Sequence, residues 1–576
     1  MATRLTTYLV VAIVAATLIA GLIVGAQRDD NDGPVDLIVN NAEVYTADGE
    51  GTRADAVAIR GNQILRVGSE REIMRLRRPQ TTVIDAGGAT VLPGFNDAHA
   101  HVIAGGLGLD EISLQDALTL EQMAGRIRAW ADANPESPWV LGRGWQSDQF
   151  PGGQPTRQQL DAIVPDRPAQ LLSQDGQSAW VNSSAMKIAG ITGRTPNPAN
   201  GAIVRDPKSG EPTGVLKAAA IALVSSRIPP PTAEERARAL RAAVAEAHLN
   251  GITSLQNAGG DPEDFAIFAE ARRAGELDVR VYSALGIEKD FTDRERARLL
   301  DAARRYPDDP LFKSGAVKIR LDGSIEAHTA SMLDDYADEH PAAVPSIAPD
   351  DLNRIVRLID AEGWQVMTHA AGDRAVRLAL DAYAHAARSN PAPDRGRRHR
   401  IEHAELVDPL DIPRFDLLGV LASMQPFSES PSSDGFEMWS RRLGAARAFR
   451  AWPYRRIHAA GGRLAFGSDW PAAALNPLLG IHAAVTRTTP EGLPEERRNR
   501  NQRLALEAAL DAYTSGAAWA SFDEQRKGSI APGMLADLVV LSEDIFDVPP
   551  STLARTHVAV TIFDGKVVYR RDRGTN

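Results

Sequence analysis

Residues 92–101 read Leu-Pro-Gly-Phe-Asn-Asp-Ala-His-Ala-His, an apolar run that ends in two histidines one residue apart, His99 and His101. On an extended strand, residues i and i+2 share a face, so both imidazoles point the same way. Two nitrogen donors placed like this suit one divalent metal ion. Histidine pairs of this spacing are common, so the inference rests on the elements that follow.

Those elements alternate. Glu234 to Leu249 reads as an amphipathic helix and Gly251 to Leu255 as a strand. The pattern then repeats as helix Pro262 to Ala274 with strand Val279 to Leu285, and helix Asp293 to Arg305 with strand Ala316 to Leu321. It continues as helix Pro349 to Glu362 with strand Gln365 to His369, and helix Arg374 to Arg388 with strand Arg400 to His403. A short helix near Leu410 leads to Val420 to Met424, and a longer one to Arg463 to Phe466. With the strand ending at His101, eight units of this kind predict an α/β chain folded as a closed (β/α)8 TIM-type barrel. An open doubly wound sheet is the competing arrangement.

Catalytic groups in such barrels stand at the C-terminal ends of the strands. Those ends carry His99, His101, Lys318, His369, His403 and Asp469. Each has a plain structural explanation by itself; Asp469, for example, could cap a helix before Trp470-Pro471. All six explanations would have to hold together to dismiss the set. Lys318 needs an extra step, because a protonated ammonium has no lone pair for a metal. Reaction of its amine with carbon dioxide would give an anionic carbamate able to bridge two metals. Otherwise Lys318 would form an ion pair with Asp322 or Glu326.

The chain has 576 residues, beyond the size at which single cores stop growing, so two or more structural units are expected. The net charge of -11 provides no basic tail or patch and argues against a nucleic-acid partner. With no cysteine, thiolate nucleophiles, thiolate zinc sites and disulfides are excluded. From Tyr8 to Ala26 no residue is charged. A run of ~20 such residues can span a bilayer as a helix. Residues 1–30 are therefore expected to be a membrane anchor or, with Val24-Gly25-Ala26 as a cleavage site, a signal peptide. Either way the catalytic domain is expected to be exported and periplasmic or extracytoplasmic. Short strand patterns lie between Val35 and Gly94, with a hairpin turn at Gly61-Asn62, and again from Asp537 to Tyr569. The two pieces could pair into one small sheet domain. The interval from about 105 to 230 is too long for one crossover and predicts an insertion over the barrel mouth.

Several of these stretches resemble the amidohydrolase superfamily, in its YtcJ-like branch. Phe95-Asn96-Asp97-Ala98-His99-Ala100-His101 is similar to its first metal motif, and Gly315-Ala316-Val317-Lys318 with Asp322-Gly323-Ser324 to its lysine strand. His369-Ala370-Ala371-Gly372-Asp373-Arg374-Ala375 and Arg400-Ile401-Glu402-His403-Ala404-Glu405 resemble the next two motifs. Ser423-Met424-Gln425-Pro426 and Phe466-Gly467-Ser468-Asp469-Trp470-Pro471 complete the series. The resemblance runs from about Val35 to Tyr569. It implies the barrel over 95–524, a β-sandwich domain composed of 31–94 and 525–576, and one or two zinc ions on the six ligands. It also implies hydrolysis of a C–N amide bond, as in N-substituted formamides or acylated amines. Asp469 would then take the proton from the attacking water and deliver it to the departing nitrogen.

The chain departs from the branch at Gln177, where His commonly follows Asp-Gly, at Ala218, where an acidic residue is usual, and at Asn257, where Asp is frequent. These positions bear on the substrate, a small-molecule amide, for which Trp145, Gln177, Asp322, His328 and Gln425 are pocket candidates. Mononuclear deaminases of the superfamily typically have glutamate three residues after the fifth-strand histidine; here it is Gly372, which argues against a deaminase. A cyclic-amide hydrolase would use the same ligands. From a different class, the same residues could belong to a catalytically inactive, membrane-tethered binding protein. A homo-oligomer is compatible with the sequence.

Overall fold

The computed structural model describes residues 34–572 except 116, 147–148, 151–152, 174–175, 177, 199–200, 288–290, 428–432 and 494–499. Eight parallel strands lie side by side in chain order. They are Phe95–Ala100, Ile252–Gly260, Arg280–Gly286, Phe312–Arg320, Gln365–Ala370, Arg400–His403, Leu421–Met424 and Leu464–Phe466. Their apolar residues are buried, among them Leu255, Val281, Val317, Val366 and Ile401, as strands covered on both faces require. The intervening helices start at ordinary caps. Thr232 and Asp261 close capping boxes with Glu235 and Asp264, which satisfy first-turn N–H groups.

The first and last strands meet at a seam made of main-chain bonds and one side chain. The Asp469 N–H donates to the His99 carbonyl at 2.7 Å, and the His101 N–H donates to the Trp470 carbonyl at 2.8 Å. The buried Asp97 carboxylate accepts from the N–H groups of His99 at 2.9 Å and Ser468 at 3.1 Å. A side chain at Gly467 would put its Cβ 2.4 Å from the His99 nitrogen, so this approach requires glycine. The result is a nearly closed barrel.

Strands from the two chain ends pair with each other. Leu538–Leu541 lies antiparallel between Thr90–Pro93 and Val558–Phe563 in a six-stranded sheet. A four-stranded sheet holds Leu37–Asn40, the hairpin Ala56–Arg60 with Gln63–Gly68, and Thr82–Asp85. Val39, Ile59, Val91, Leu538 and Ile562 from the two sheets share one buried cluster. This unit is tied to the barrel by Arg280, whose Nε and Nη2 donate to Asp537 at 2.6 and 2.9 Å; both side chains are 4% exposed.

The stretch expected as an insertion forms its own six-stranded sheet between Ile112 and Ala218, with apolar clusters of its own. Among the described residues, none between 111 and 230 lines the cavity at the strand ends. The expected anchor over residues 1–30 lies outside the described residues. Among those described, no helix is long and apolar enough to cross a membrane.

Candidate metal centre

A cavity of about 1420 Å³ opens at the C-terminal ends of the barrel strands, and His99, His101, Lys318, His369, His403 and Asp469 all line it. Donor atoms of His99, His403 and Asp469 lie within 4.8 Å of one another. Asp469 Oδ1 is 3.3 Å from Nε2 of both His99 and His101. Lys318 Nζ is 3.2 Å from His99 Nε2, and the His369 ring centroid is 4.4 Å from that of His403. His403 and Asp469 both have left-handed backbones, with φ of 72° and 58°. Such conformations are uncommon outside glycine and cluster where a side chain must be aimed.

Hydrogen bonds settle which ring nitrogen is free. His99 Nδ1 faces the buried Glu402 Oε2 at 2.6 Å and must donate to it, leaving a lone pair on Nε2. His369 Nε2 donates to the Gly323 carbonyl at 3.1 Å, leaving its lone pair on Nδ1. Burial pulls the His369 pKa down to about 3, helped by the neighbouring Lys318 charge, and it holds His403 well below the usual range. These rings are therefore neutral, as metal ligands must be. Burial would raise the Asp469 carboxyl, but the hydrogen bond from His101 and the neighbouring His99 and His403 rings outweigh it and hold the pKa well below the ordinary value. Burial also lowers Lys318 to about 8. Neutral imidazoles beside an ionised carboxylate, facing one cavity, are a donor set that fits a divalent metal.

The ion pair considered for Lys318 is not formed. Asp322 accepts from the main-chain N–H groups of Ser331, Ala371 and Gly372 at 2.9–3.0 Å, and Glu326 accepts from the Trp439 indole. Asp322 is thus a clamp on the loop that follows His369 and is absent from the cavity wall, a correction to its expected pocket role. Trp145 is corrected too: it is 1% exposed, its indole donates to the Leu171 carbonyl, and its ring packs on Phe150 in the insertion core. Gln425 is fully buried, and its amide donates to the Ser423 carbonyl at 3.3 Å. Gln177 lies outside the described residues.

His328 forms a second cluster with Asp338 and His340. Arg442 can only donate, and it faces His328 Nδ1 at 3.2 Å, so the proton is on Nε2, 2.8 Å from Asp338 Oδ2. That leaves His328 no lone pair for a metal and makes it a link in a loop, away from the cavity wall.

The sequence reading missed Glu402 and its partner Arg400. Both are fully buried, and Arg400 Nε and Nη2 donate to the two Glu402 oxygens at 2.8 and 3.0 Å. Arg400 also donates to Gln256, to Ser423 and to the Ala98 carbonyl. Burial opposes ionisation of Glu402, but Arg400 and His99 hold its pKa well below the ordinary range. The only signal in the sequence is that Arg400 and Glu402 share a strand face with spacing i, i+2.

The profile described as "Amidohydrolase family" matches residues 82–569. Among curated proteins, the chain is 31% identical to a putative amidohydrolase YtcJ of Bacillus subtilis over 92% of this chain and 98% of that one. It is 29% identical to an N-substituted formamide deformylase of Arthrobacter pascens, over 93% and 98% of the two chains. Among solved structures, it resembles an uncharacterized metal-dependent hydrolase from Pyrococcus furiosus with a TM-score of 0.69 and 25% identity, covering 87% of this chain and 97% of that one. The chain belongs to the amidohydrolase family.

Proposed function

We propose that this protein is a metal-dependent hydrolase that cleaves the C–N bond of a small-molecule amide, of the N-substituted formamide or N-acyl amine type. The observation that carries the reading is the convergence of six side chains, from residues 99 to 469, on one cavity. His99, His101, His369, His403 and Asp469 would hold one or two zinc ions, with Lys318, as a carbamate, a further ligand. Bound there, zinc would supply a Lewis acid and lower the pKa of water toward neutral. The ionised Asp469 is placed to accept the proton of the attacking water and return it to the departing nitrogen, which an amide needs because an amine anion leaves badly. Glu402 keeps His99 in the required tautomer. The similarity to a formamide deformylase supports a C–N bond as the target.

Deamination of the mononuclear kind is disfavoured by the packing at position 372. A Cβ on Gly372 would lie 2.2 Å from the Ser331 carbonyl oxygen, so no glutamate fits there. The uncharged run from Tyr8 to Ala26 supports tethering or export of the catalytic unit.

The test is turnover of formamides, N-acyl amines and cyclic amides by zinc-loaded protein, with Lys318→Ala alongside. The reading expects turnover on the first two classes. The variant should lose one metal per chain, and added short-chain carboxylate should restore it. Bound zinc without turnover on any amide would overturn the hydrolase. Unchanged metal stoichiometry in the variant would overturn the carbamate.

A further inference from the structure

We infer that Arg320 is an anion subsite of this cavity, so that the amide substrate carries a carboxylate on the end facing the cavity mouth. The inference rests on the amide-hydrolase reading above and adds the charge of the substrate to it.

Arg320 follows Lys318 by two residues on the strand Phe312–Arg320, so the two side chains leave the same face. Two residues of strand place it about 6–7 Å further toward the mouth. In the parallel ladder Arg320 is the direct partner of His369, another residue of the candidate centre. The side chain is exposed and lines the cavity. Its Nε donates to the Asp322 carbonyl at 3.2 Å, which anchors one edge of the guanidinium. Asp322 is itself held by three main-chain N–H groups, so this anchor is rigid. The two terminal nitrogens remain available, and a planar fork of this kind matches a carboxylate.

Among the described residues Arg320 forms no ion pair, whereas the carboxylates of Asp261, Asp264, Glu295 and Glu326 on the wall have other partners. Glu295 is held by Arg298 at 2.9 Å, Asp261 and Asp264 by Arg236, and Glu326 by the Trp439 indole. Arg320 is therefore an anchored cation beside the candidate centre, in direct contact with no carboxylate among the described residues, although its charge reaches the buried Asp322. A substrate anion would supply the missing partner.

The experiment compares matched substrates with zinc-loaded, full-length protein. One pair is N-acetyl-leucine and N-acetyl-isopentylamine, which differ by the carboxylate on the amine side. A second pair is N-isopentylsuccinamate and N-isopentylbutyramide, which differ by the carboxylate on the acyl side. In one of the two pairs, kcat/KM is expected to be about tenfold or more higher for the anionic member, mainly through KM. Arg320→Gln should reduce that ratio about tenfold, and Arg320→Lys should recover part of it. A ratio near one in the wild type, or the same ratio in Arg320→Gln, would overturn the subsite while leaving amide hydrolysis intact. If no amide turns over, calorimetric binding of N-acetyl-leucine and N-isopentylsuccinamate to wild type and Arg320→Gln decides. Binding about tenfold weaker in the variant upholds the subsite without the hydrolase. Equal binding in both overturns it. Circular dichroism of each variant confirms that it folds.

Discussion

Glu402 Oε2 lies 2.6 Å from His99 Nδ1, joining a carboxylate and an imidazole 303 positions apart in the chain inside the barrel. The bond fixes the His99 tautomer and turns its Nε2 toward Asp469 and Lys318. Arg400 occupies both oxygens of the same carboxylate, so Glu402 stays ionised although no water reaches it. Ligand-orienting carboxylates of this kind commonly contribute 10–100-fold to metal affinity, on the order of 1.4–2.7 kcal/mol.

Glu402→Gln is accordingly expected to weaken zinc binding by about 10–100-fold, measured by competition with a chelator. The glutamine has the shape of the glutamate but not its charge. Unchanged affinity would mean that packing alone sets the orientation of His99.

Asp469→Asn and His369→Ala are each expected to lower kcat by at least about 10²-fold on any amide the wild type cleaves. Asp469 is 3.3 Å from two imidazoles and has no substitute within the set. Far-ultraviolet circular dichroism should remain that of the wild type. Near-normal turnover in either variant would count heavily against the assignment.

Asp537→Ala should destabilise the protein by about 3–5 kcal/mol in urea unfolding, because it leaves the buried Arg280 guanidinium without its bidentate partner. The loss would be felt where the terminal strands meet the barrel. A change under about 1 kcal/mol would show that Asp564, 2.9 Å from Arg280 Nη2, compensates.

Lys527 gives a pH dependence that is independent of the metal. It is buried near the barrel base, with Nζ 2.8 Å from Ser254 Oγ, and burial lowers its pKa from 10.5 to about 8 against the opposing pull of Asp523. Between these values the unfolded chain holds a proton that the folded chain has lost, so this group adds stability as pH rises. The stability difference between wild type and Lys527→Met should therefore shift toward the wild type by up to about 3 kcal/mol from pH 8 to 10.5. A difference that does not move with pH would show that the ammonium stays protonated when folded.

The barrel was legible because its signals are local. Helices such as Pro262–Ala274 and Asp293–Arg305 have their observed bounds written in their caps and periodicity, and Arg400–His403 is the strand its pattern predicts. The six cavity residues were legible because each lies within three residues of a strand's C-terminal end. Glu402 was not, since its role depends on a neighbour that only the closed barrel supplies. Trp145 misled for a related reason: an apolar aromatic near a loop reads the same whether it faces a pocket or packs on Phe150 and Leu171. Asp322 sits in a motif beside Lys318, yet two of its three N–H donors, Ala371 and Gly372, come from a loop about fifty residues further along the chain. The sheet from Ile112 to Ala218 mixes parallel and antiparallel pairs, so no regular helix-strand alternation marks it in the sequence.

The most direct measurement is anomalous diffraction at the zinc edge from crystals of the zinc-loaded protein. The account predicts one or two peaks whose ligands are drawn from His99, His101, Lys318, His369, His403 and Asp469. No peak there, or zinc bound only at His328 and Asp338, would contradict it.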